Sequence, residues 1–332
     1  MKVLITGGAG FLGRRLAEEL LQRGMLKHAS ANGQVSDRTI AQLVLVDVVP
    51  GTPFVDPRVR QVTGDVSDPE FLASVIDADT HSIFHLAAIV SGQAEADFDL
   101  GMRINVDASR RLLDICRELG HRPNVVFASS VAIYGGSLPP LVLDTTAVAP
   151  QSSYGMQKAV VELLVNDYTR KNFIDGRVLR LPTICVRPGR PNAAASSFAS
   201  GIIREPLNGE PAVCPVSTDT RLWLLSPETV TDSLVFGHDV PSAELGVNRN
   251  INLPGLSLTV GDMVAALERV AGPEVVARIR WESDARVERI VSTWPGELDA
   301  TRARALGFPM DRNFDDVIRQ HMRYMASAPA LH

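Results

Sequence analysis

Short apolar runs alternate with amphipathic helical patterns through the first half of the chain. The apolar runs cover residues 3–5, 43–46, 59–63, 83–86, 125–128 and 178–181. Several of these runs are continuous rather than alternating, which is typical of strands that are covered by helices on both faces. The repeated succession of strand and helix predicts an α/β fold with a doubly wound parallel sheet.

The pattern changes near residue 188 of the 332-residue chain. Pro, Asn, Ala and Ser dominate residues 188–200, and shorter strands and helices follow. We therefore predict a first domain over residues 1–187 and a smaller, mainly substrate-binding lobe over residues 188–332, from which some segments return to the main sheet. A polar stretch before the second strand of the sheet, residues 25–42, is predicted to be a surface insertion.

The first predicted strand leads directly into three glycines, Gly7, Gly10 and Gly13, which have G-x-x-G-x-x-G spacing. Gly7 permits a tight turn, Gly10 lets the backbone approach a phosphate, and Gly13 lets the following helix pack closely on the strand. The N-terminus of that helix is then free to bind a pyrophosphate. The sequence thus predicts a dinucleotide site in a Rossmann-type domain, with Phe11 and Leu12 of the turn also contacting the cofactor.

An acidic residue, Asp47, ends the next strand of the predicted sheet. A carboxylate at this place can accept hydrogen bonds from the ribose hydroxyls of adenosine and would repel a 2′-phosphate, so NAD is favoured over NADP. The alternative is an Asp that only caps a helix or stabilises a turn.

Tyr154 and Lys158 have the Y-x-x-x-K spacing, which places both side chains on one face of a helix. A free Tyr has a pKa of about 10, which is too high for a base at neutral pH. A neighbouring Lys and a cationic nicotinamide would stabilise the phenolate and lower this pKa. Upstream, Ser130 ends a strand, where it can hydrogen-bond the reacting oxygen, although serines at strand ends are also common turn formers.

In this order, the glycine turn, Asp47, Ser130, Tyr154 and Lys158 resemble the extended, epimerase/dehydratase type of short-chain dehydrogenase. The resemblance covers nearly the whole chain. It implies that Tyr154 transfers the proton, that Lys158 binds the nicotinamide ribose and tunes Tyr154, and that Ser130 orients the substrate. It also implies further contacts with NAD, at Asp65, Val66, Leu86, Ala87, Ala88, Asn105 and Pro182.

Residues 187–207 are the most distinctive stretch. They resemble a subgroup of this family typified by enzymes that use NAD to oxidise C2 of D-erythronate, a four-carbon sugar acid, to 2-oxo-D-erythronate. A carboxylate substrate needs a charge-assisted donor, for which Arg187 is a candidate. Asn192, Ser196 and Ser197 are candidates for binding hydroxyl groups. The arginines of this stretch could equally be solvated or hold the loop by salt bridges.

Two other functions stay open. In a sugar-nucleotide epimerase, the same arginines would hold the diphosphate of the substrate, and the hydride would return to the opposite face of the sugar. In a non-catalytic dinucleotide sensor, Ser130, Tyr154 and Lys158 need not all be intact. A 4,6-dehydratase is disfavoured, because Val131 and Ala132 stand where such an enzyme has an Asp-Glu pair.

Composition narrows the expected partners. A net charge of -5 with scattered Arg and Lys favours neither a nucleic-acid nor a membrane partner. Three widely separated cysteines predict neither a metal site nor a disulfide framework. No apolar stretch has the length of a membrane span, and the first strand leaves no room for a signal peptide, so a cytoplasmic location is expected.

The family resemblance also implies a homodimer that pairs through helices at residues 102–119 and 152–168. Apolar residues of these helices could equally face the sheet.

Overall fold

A computed structural model describes residues 1–29, 35–189 and 194–327. In chain order, the strands are β1 (Lys2–Thr6), β2 (Met25–Ala29), β3 (Val35–Thr39), β4 (Gln42–Asp47), β5 (Val59–Thr63), β6 (Thr80–His85), β7 (Asn124–Ser130), β8 (Asp175–Leu181), β9 (Thr183–Ile184), β10 (Ala212–Cys214), β11 (Arg221–Leu225), β12 (Asn250–Asn252), β13 (Leu256–Thr259) and β14 (Ile279–Trp281).

The α-helices, also in chain order, are α1 (Phe11–Arg23), α2 (Pro69–Val75), α3 (Ser91–Ala96), α4 (Phe98–Gly101), α5 (Ala108–Leu119), α6 (Ser153–Arg170), α7 (Ser197–Leu207), α8 (Pro227–Asp239), α9 (Ser242–Leu245), α10 (Val260–Ala271), α11 (Pro273–Val276), α12 (Ala285–Val291), α13 (Thr301–Leu306) and α14 (Phe314–Ser327). A π-helical segment, Met102–Asp107, leads into α5, and a 3₁₀ turn, Val131–Ile133, follows β7.

Seven strands form the main sheet, in the order β12-β8-β7-β6-β1-β4-β5. All neighbouring strands in it are parallel. The chain winds outward from β1 to β4 and β5, then crosses back to continue on the other side of β1 with β6, β7 and β8. The predicted α/β fold is confirmed, and its strand order reverses between β1 and β6, where such sheets bind ligands.

Two apolar layers cover this sheet because side chains alternate between the faces of a strand. Val3 and Ile5 of β1 belong to one buried cluster, together with Leu16 of α1. Leu4 belongs to the other, together with Leu112 of α5. Helices α1 and α8 therefore cover one face, and α2, α5 and α6 cover the other.

The later part of the chain builds a second apolar core. Strands β9, β11 and β13 form a small sheet, and β10 pairs with β14. Buried side chains of α7, α10 and α14, among them Ile202, Met263 and Ile318, fill this core. By contrast, β12 pairs with β8 of the main sheet, and α8 lies on its face. A domain boundary near residue 187 stays a prediction.

The predicted insertion contains an antiparallel hairpin, β2 and β3. Most of β3 is exposed, as expected for a surface insertion, whereas Leu26 of β2 is fully buried. The backbone N–H of Lys27 also donates to the carboxylate of Asp239, at 2.9 Å, so the hairpin is docked on the end of α8.

Within the described residues, we find no helix with both the length and the apolar character that crossing a membrane requires.

Candidate active site

The glycine turn connects β1 with α1, and its geometry requires glycine. Gly7 has a φ of +73°, and a Cβ there would lie 2.9 Å from the backbone N of Ala87. A Cβ on Gly13 would lie 2.1 Å from the carbonyl oxygen of Gly7. No side chain can fit at either position without moving the backbone. The turn is therefore held close to both the end of β6 and the start of α1.

A cleft of about 420 Å³ opens next to this turn, at the carboxyl ends of the main-sheet strands. It brings together most of the residues that the sequence predicted for the site. They are Gly7, Gly10, Phe11, Leu12, Gly13, Asp47, Val66, Leu86, Ala87, Ala88, Ser130, Tyr154, Lys158, Pro182, Arg187 and Ser196.

Other predicted site residues lie elsewhere. The carboxylate of Asp65 accepts hydrogen bonds from the N–H and the hydroxyl of Ser67, each at 2.8 Å. Asp65 thus stabilises its own turn, while its neighbour Val66 lines the cleft. Ser197 begins α7 outside the cleft lining, and Asn192 falls outside the described residues.

Asn105 is buried behind the wall of the cleft. Its side-chain oxygen accepts from the N–H of Ile89 at 2.8 Å, and its amide group donates to the carbonyl of Ile89 at 3.1 Å. The same amide group donates to the side chain of Gln157 at 2.7 Å. Since Ile89 lines the cleft, Asn105 holds the backbone of the wall.

Asp47 links β4 to the glycine turn. Its carboxylate accepts from the backbone N–H of Ala9 at 3.0 Å and from that of Val49 at 3.4 Å. The half-buried side chain also lines the cleft. Asp47 therefore stabilises the turn, as the alternative in the sequence analysis has it. Its position in the cleft also allows it to contact a ligand.

The predicted catalytic side chains meet where β7 ends beside α6. The ammonium group of Lys158 donates to the carbonyl of Ala128 at 2.8 Å and lies 5.6 Å from the ring centroid of Tyr154. The hydroxyl of Ser130 interacts with the phenol of Tyr154. The hydroxyl of Ser130 also accepts from the N–H of Ala132 at 3.1 Å, which caps the 3₁₀ turn.

Burial dominates the electrostatics of this pair. It raises the pKa of Tyr154 to about 12, against the opposite effects of the hydrogen bond with Ser130 and the charge of Arg187. Burial also lowers the pKa of Lys158 to about 7, although the negative charge of Glu162 acts in the opposite direction and raises it. The predicted lowering of the Tyr154 pKa is therefore not produced by the chain's own groups, because the loss of hydration outweighs their charges.

Arg187 follows β9 and lines the cleft close enough to Tyr154 to lower the pKa of that phenol. Its backbone is anchored to α7: the N–H donates to the hydroxyl of Ser200 at 3.0 Å, and the carbonyl accepts from Arg204 at 2.7 Å. Arg204 in turn pairs with Glu205 at 2.5 Å. Of these two arginines, Arg187 faces the cleft, and Arg204 supports its backbone.

The sequence analysis did not identify Trp294, which also lines the cleft. It lies between α12 and α13, far along the chain from the other site residues. No local motif surrounds it, and only the fold brings it to the site.

A buried histidine, also missed, connects β1, β6 and α5 beneath the cleft. The ring of His85 is hydrogen-bonded to the hydroxyl of Thr6 at 2.7 Å and to that of Ser109 at 2.8 Å. Burial lowers the pKa of His85 to about 3, with a smaller contribution from the charge of Lys158. The hydroxyl of Thr6 also accepts from the N–H of Ala87 at 3.2 Å, so this neutral ring supports the strand ends beside the glycine turn.

Residues 3–230 match the model of the NAD dependent epimerase/dehydratase family. The chain is 62% identical over 322 residues to the D-erythronate dehydrogenase of Cupriavidus necator, covering 97% of this chain and 98% of the relative. It is 50% identical over 325 residues to the D-erythronate dehydrogenase of Haemophilus influenzae, covering 98% and 99% of the two chains.

Solved structures share the fold of this chain. The crystal structure of the nucleoside-diphosphate-sugar epimerase from Agrobacterium tumefaciens superposes with a TM-score of 0.90 at 41% identity, covering 99% of this chain and 95% of that one. The GalE-like L-threonine dehydrogenase from Cupriavidus necator superposes with a TM-score of 0.85 at 23% identity, over 98% and 100% of the two chains, which shows a shared fold. The chain belongs to the NAD dependent epimerase/dehydratase family, as its resemblance to the extended short-chain dehydrogenases predicted.

Proposed function

We propose that the protein is an NAD-dependent dehydrogenase that oxidises the C2 hydroxyl of D-erythronate to 2-oxo-D-erythronate in the cytoplasm. The observation that carries the proposal is one cleft in which an arginine, Arg187, lies beside Ser130, Tyr154 and Lys158. The 62% and 50% identities to two D-erythronate dehydrogenases, over almost the full length, support this substrate.

The residues of the cleft fit a dinucleotide. Side-chain atoms are excluded at Gly7 and Gly13, which leaves the backbone at the start of α1 accessible to a pyrophosphate. Asp47, at the end of β4, would hold the adenosine ribose, and Lys158 would bind the nicotinamide ribose. When bound, NAD supplies the acceptor for the hydride that leaves C2.

Side chains of the cleft remove the hydroxyl proton and orient the substrate. Ser130 holds the C2 oxygen by a hydrogen bond, and Tyr154 removes the hydroxyl proton. Arg187 places positive charge near the phenol, which favours its ionised form. The ammonium group of Lys158 lies 5.6 Å from the centroid of the same ring. The guanidinium of Arg187 binds the carboxylate of the substrate through paired hydrogen bonds.

A sugar-nucleotide epimerase is the second candidate function. It is favoured by the 41% identity to the Agrobacterium tumefaciens epimerase. An epimerase returns the hydride to its sugar, so reduced cofactor does not accumulate. Net formation of NADH therefore separates the two functions.

The deciding experiment is an absorbance assay at 340 nm with purified protein, NAD and a panel of four-carbon aldonic acids, beside reactions with NADP and with UDP-sugars. We expect stoichiometric NADH from D-erythronate and little reaction with NADP. Interconversion of UDP-sugar isomers without NADH from any acid would replace the proposal with the epimerase function.

We also propose that the protein is a homodimer that pairs through α5 and α6. Leu112 and Leu113 of α5 are buried against the sheet in the monomer, which leaves Leu163 of α6, at 69% exposure, as the main apolar contact. Sedimentation should show a dimer, and Leu163→Glu should shift it to monomer. Leu141→Glu, at an exposed apolar residue outside these helices, serves as the control. A wild-type monomer would contradict the proposal.

A further inference from the structure

Three consecutive residues at the end of β7 are tied to one face of α6. Their partners on the helix lie four residues apart, so they project from the same side. The three pairs are Ser130 with Tyr154, Ala128 with Lys158 at 2.8 Å, and Ser129 with Glu162 at 2.5 Å. The first two pairs hold the proposed catalytic groups, and the third pair lies one turn further along the helix.

The third pair is built around a buried carboxylate. Glu162 is only 2% exposed, and it accepts hydrogen bonds from Nη2 of Arg180 at 2.8 Å and from Nε at 3.0 Å. It also accepts from the amide of Asn250 at 3.3 Å and from the hydroxyl of Ser129. A carboxylate that is so deeply buried loses its hydration, and this set of donors replaces the lost hydrogen bonds with water.

Arg180 extends the contacts to the neighbouring strands. Its Nη1 donates to the hydroxyl of Tyr134 at 2.6 Å, and that hydroxyl donates to the side chain of Asn252 at 3.0 Å. The cluster thus joins β7, α6, β8 and β12. Neither Glu162 nor Arg180 lines the cleft, so neither can touch a substrate directly.

The same carboxylate influences the charge of Lys158. The ammonium group lies 4.7 Å from the ring centroid of Phe127 and faces the phenol of Tyr154. His85 of β6 also interacts with this ammonium group, and its ring is neutral because burial lowers its pKa to about 3. Glu162 is the group that raises the pKa of Lys158 against the effect of burial.

We propose that Glu162 is a positioning residue: with Ser129 and Arg180 it sets how α6 lies on the end of β7, and it holds a negative charge behind Lys158. This inference rests on the proposed function only in using the same Ser130, Tyr154 and Lys158 chemistry, and it does not depend on which substrate is oxidised.

The charge effect is testable in the free protein, by following the ¹³Cε signals of lysine through a pH titration. The chain has only four lysines, and Lys158→Met assigns the relevant signal. Glu162→Gln preserves an acceptor for Ser129 but removes the charge, so the pKa of Lys158 should fall by about one unit. Asp167→Asn makes the same chemical change at an exposed residue of α6 and should leave it unchanged.

A second substitution, at Arg180, controls for misfolding of the Glu162 variant. Glu162→Gln alone leaves the buried guanidinium unpaired, which destabilises a protein. The double variant Glu162→Gln/Arg180→Gln leaves no unpaired charge and should show the same fall in the Lys158 pKa. If Lys158 titrates as in the wild type in both Glu162 variants, the charge role is overturned.

The positioning role is measured by turnover. Ser129→Ala keeps the charge of Glu162 but removes its tie to β7, so kcat should fall by roughly tenfold or more, while the Lys158 titration stays unchanged. Wild-type kcat in Ser129→Ala would overturn this role. If the wild type forms no NADH from D-erythronate, the proposed function fails, whereas the lysine titration still decides the role of Glu162.

Discussion

The carboxylate of Asp47 accepts a hydrogen bond from the backbone N–H of Ala9 at 3.0 Å, which joins the end of β4 to the glycine turn after β1. The two residues are far apart in sequence, yet they are neighbours at the rim of the cleft because β1 and β4 are paired in the sheet. This contact orients the acid that we expect to select the cofactor.

Replacing Asp47 by Ala should weaken NAD more than NADP. The change removes a charged hydrogen-bond acceptor, whose loss costs about 1.5–3 kcal/mol, and it also removes the repulsion of a 2′-phosphate. Fluorescence titrations with both dinucleotides should show at least a tenfold loss in NAD affinity. The ratio of the NAD affinity to the NADP affinity should also become smaller. Asp68→Ala, which makes the same change at the N-terminal cap of α2, is the matched control. An unchanged ratio would refute the role of Asp47 in selection.

Gly13→Ala should abolish NAD binding and lower the thermal stability. The added Cβ would lie 2.1 Å from the carbonyl oxygen of Gly7, so the turn or α1 must shift. Gly201→Ala within α7 is the control, because its Cβ would lie 3.5 Å from the flexible side chain of Glu205. That variant should be neutral or more stable by up to about 1 kcal/mol. Thermal denaturation with and without NAD distinguishes the two, and NAD binding by Gly13→Ala would contradict the predicted contact.

Tyr154→Phe should reduce kcat by about 10²- to 10⁴-fold while it retains NAD binding. Burial raises the pKa of Tyr154 to about 12 in the free protein, so kcat/KM of the wild type should increase with pH through the neutral range as more phenolate forms. Tyr168→Phe changes a hydroxyl on the same helix that donates to Asp114 at 2.7 Å, away from the cleft, and should keep normal turnover. Equal rates for the Tyr154→Phe variant and the wild type would remove Tyr154 from the mechanism.

Arg187→Lys should lower kcat/KM for D-erythronate by about 10- to 100-fold, since an ammonium cannot reproduce the paired hydrogen bonds of a guanidinium with a carboxylate. The Kd for NAD should change little. Arg221→Lys, an exposed arginine that donates to Ser257 at 3.3 Å, should behave like the wild type. If both variants retain full kcat/KM, another group must bind the carboxylate.

The protein should lose stability between pH 7 and pH 5. Burial lowers the pKa of His85 to about 3 and that of His321 to about 4, whereas an unfolded His titrates near about 6.5. The stability from these neutral rings is complete above pH 6.5 and is lost as the pH falls towards the folded values. Each ring should account for about 2 kcal/mol of unfolding free energy between the two pH values.

Urea denaturation of the wild type and of His321→Gln at pH 7 and pH 5 tests this stability effect. From pH 7 to pH 5, the free energy of unfolding of the variant should fall by about 2 kcal/mol less than that of the wild type. An identical loss in both proteins would show that His321 does not contribute.

The local parts of the molecule were predictable from the sequence because they depend on neighbours along the chain. Hydrophobic runs and helical periodicity predicted the α/β fold and six of the seven strands of the main sheet, all except β12. The glycine spacing predicted the turn, since only glycine tolerates the backbone contacts at Gly7 and Gly13. The four-residue spacing placed Tyr154 and Lys158 on one face of α6.

The tertiary structure alone decided what depends on contacts between distant segments. It places Arg187 near Tyr154, brings Trp294 into the cleft and pairs Glu162 with Arg180. It also determines the direction of the Tyr154 pKa shift, because the hydration that a phenol loses depends on everything packed around it. Periodicity and spacing report only local geometry, whereas burial and charge at the site are properties of the complete packed fold.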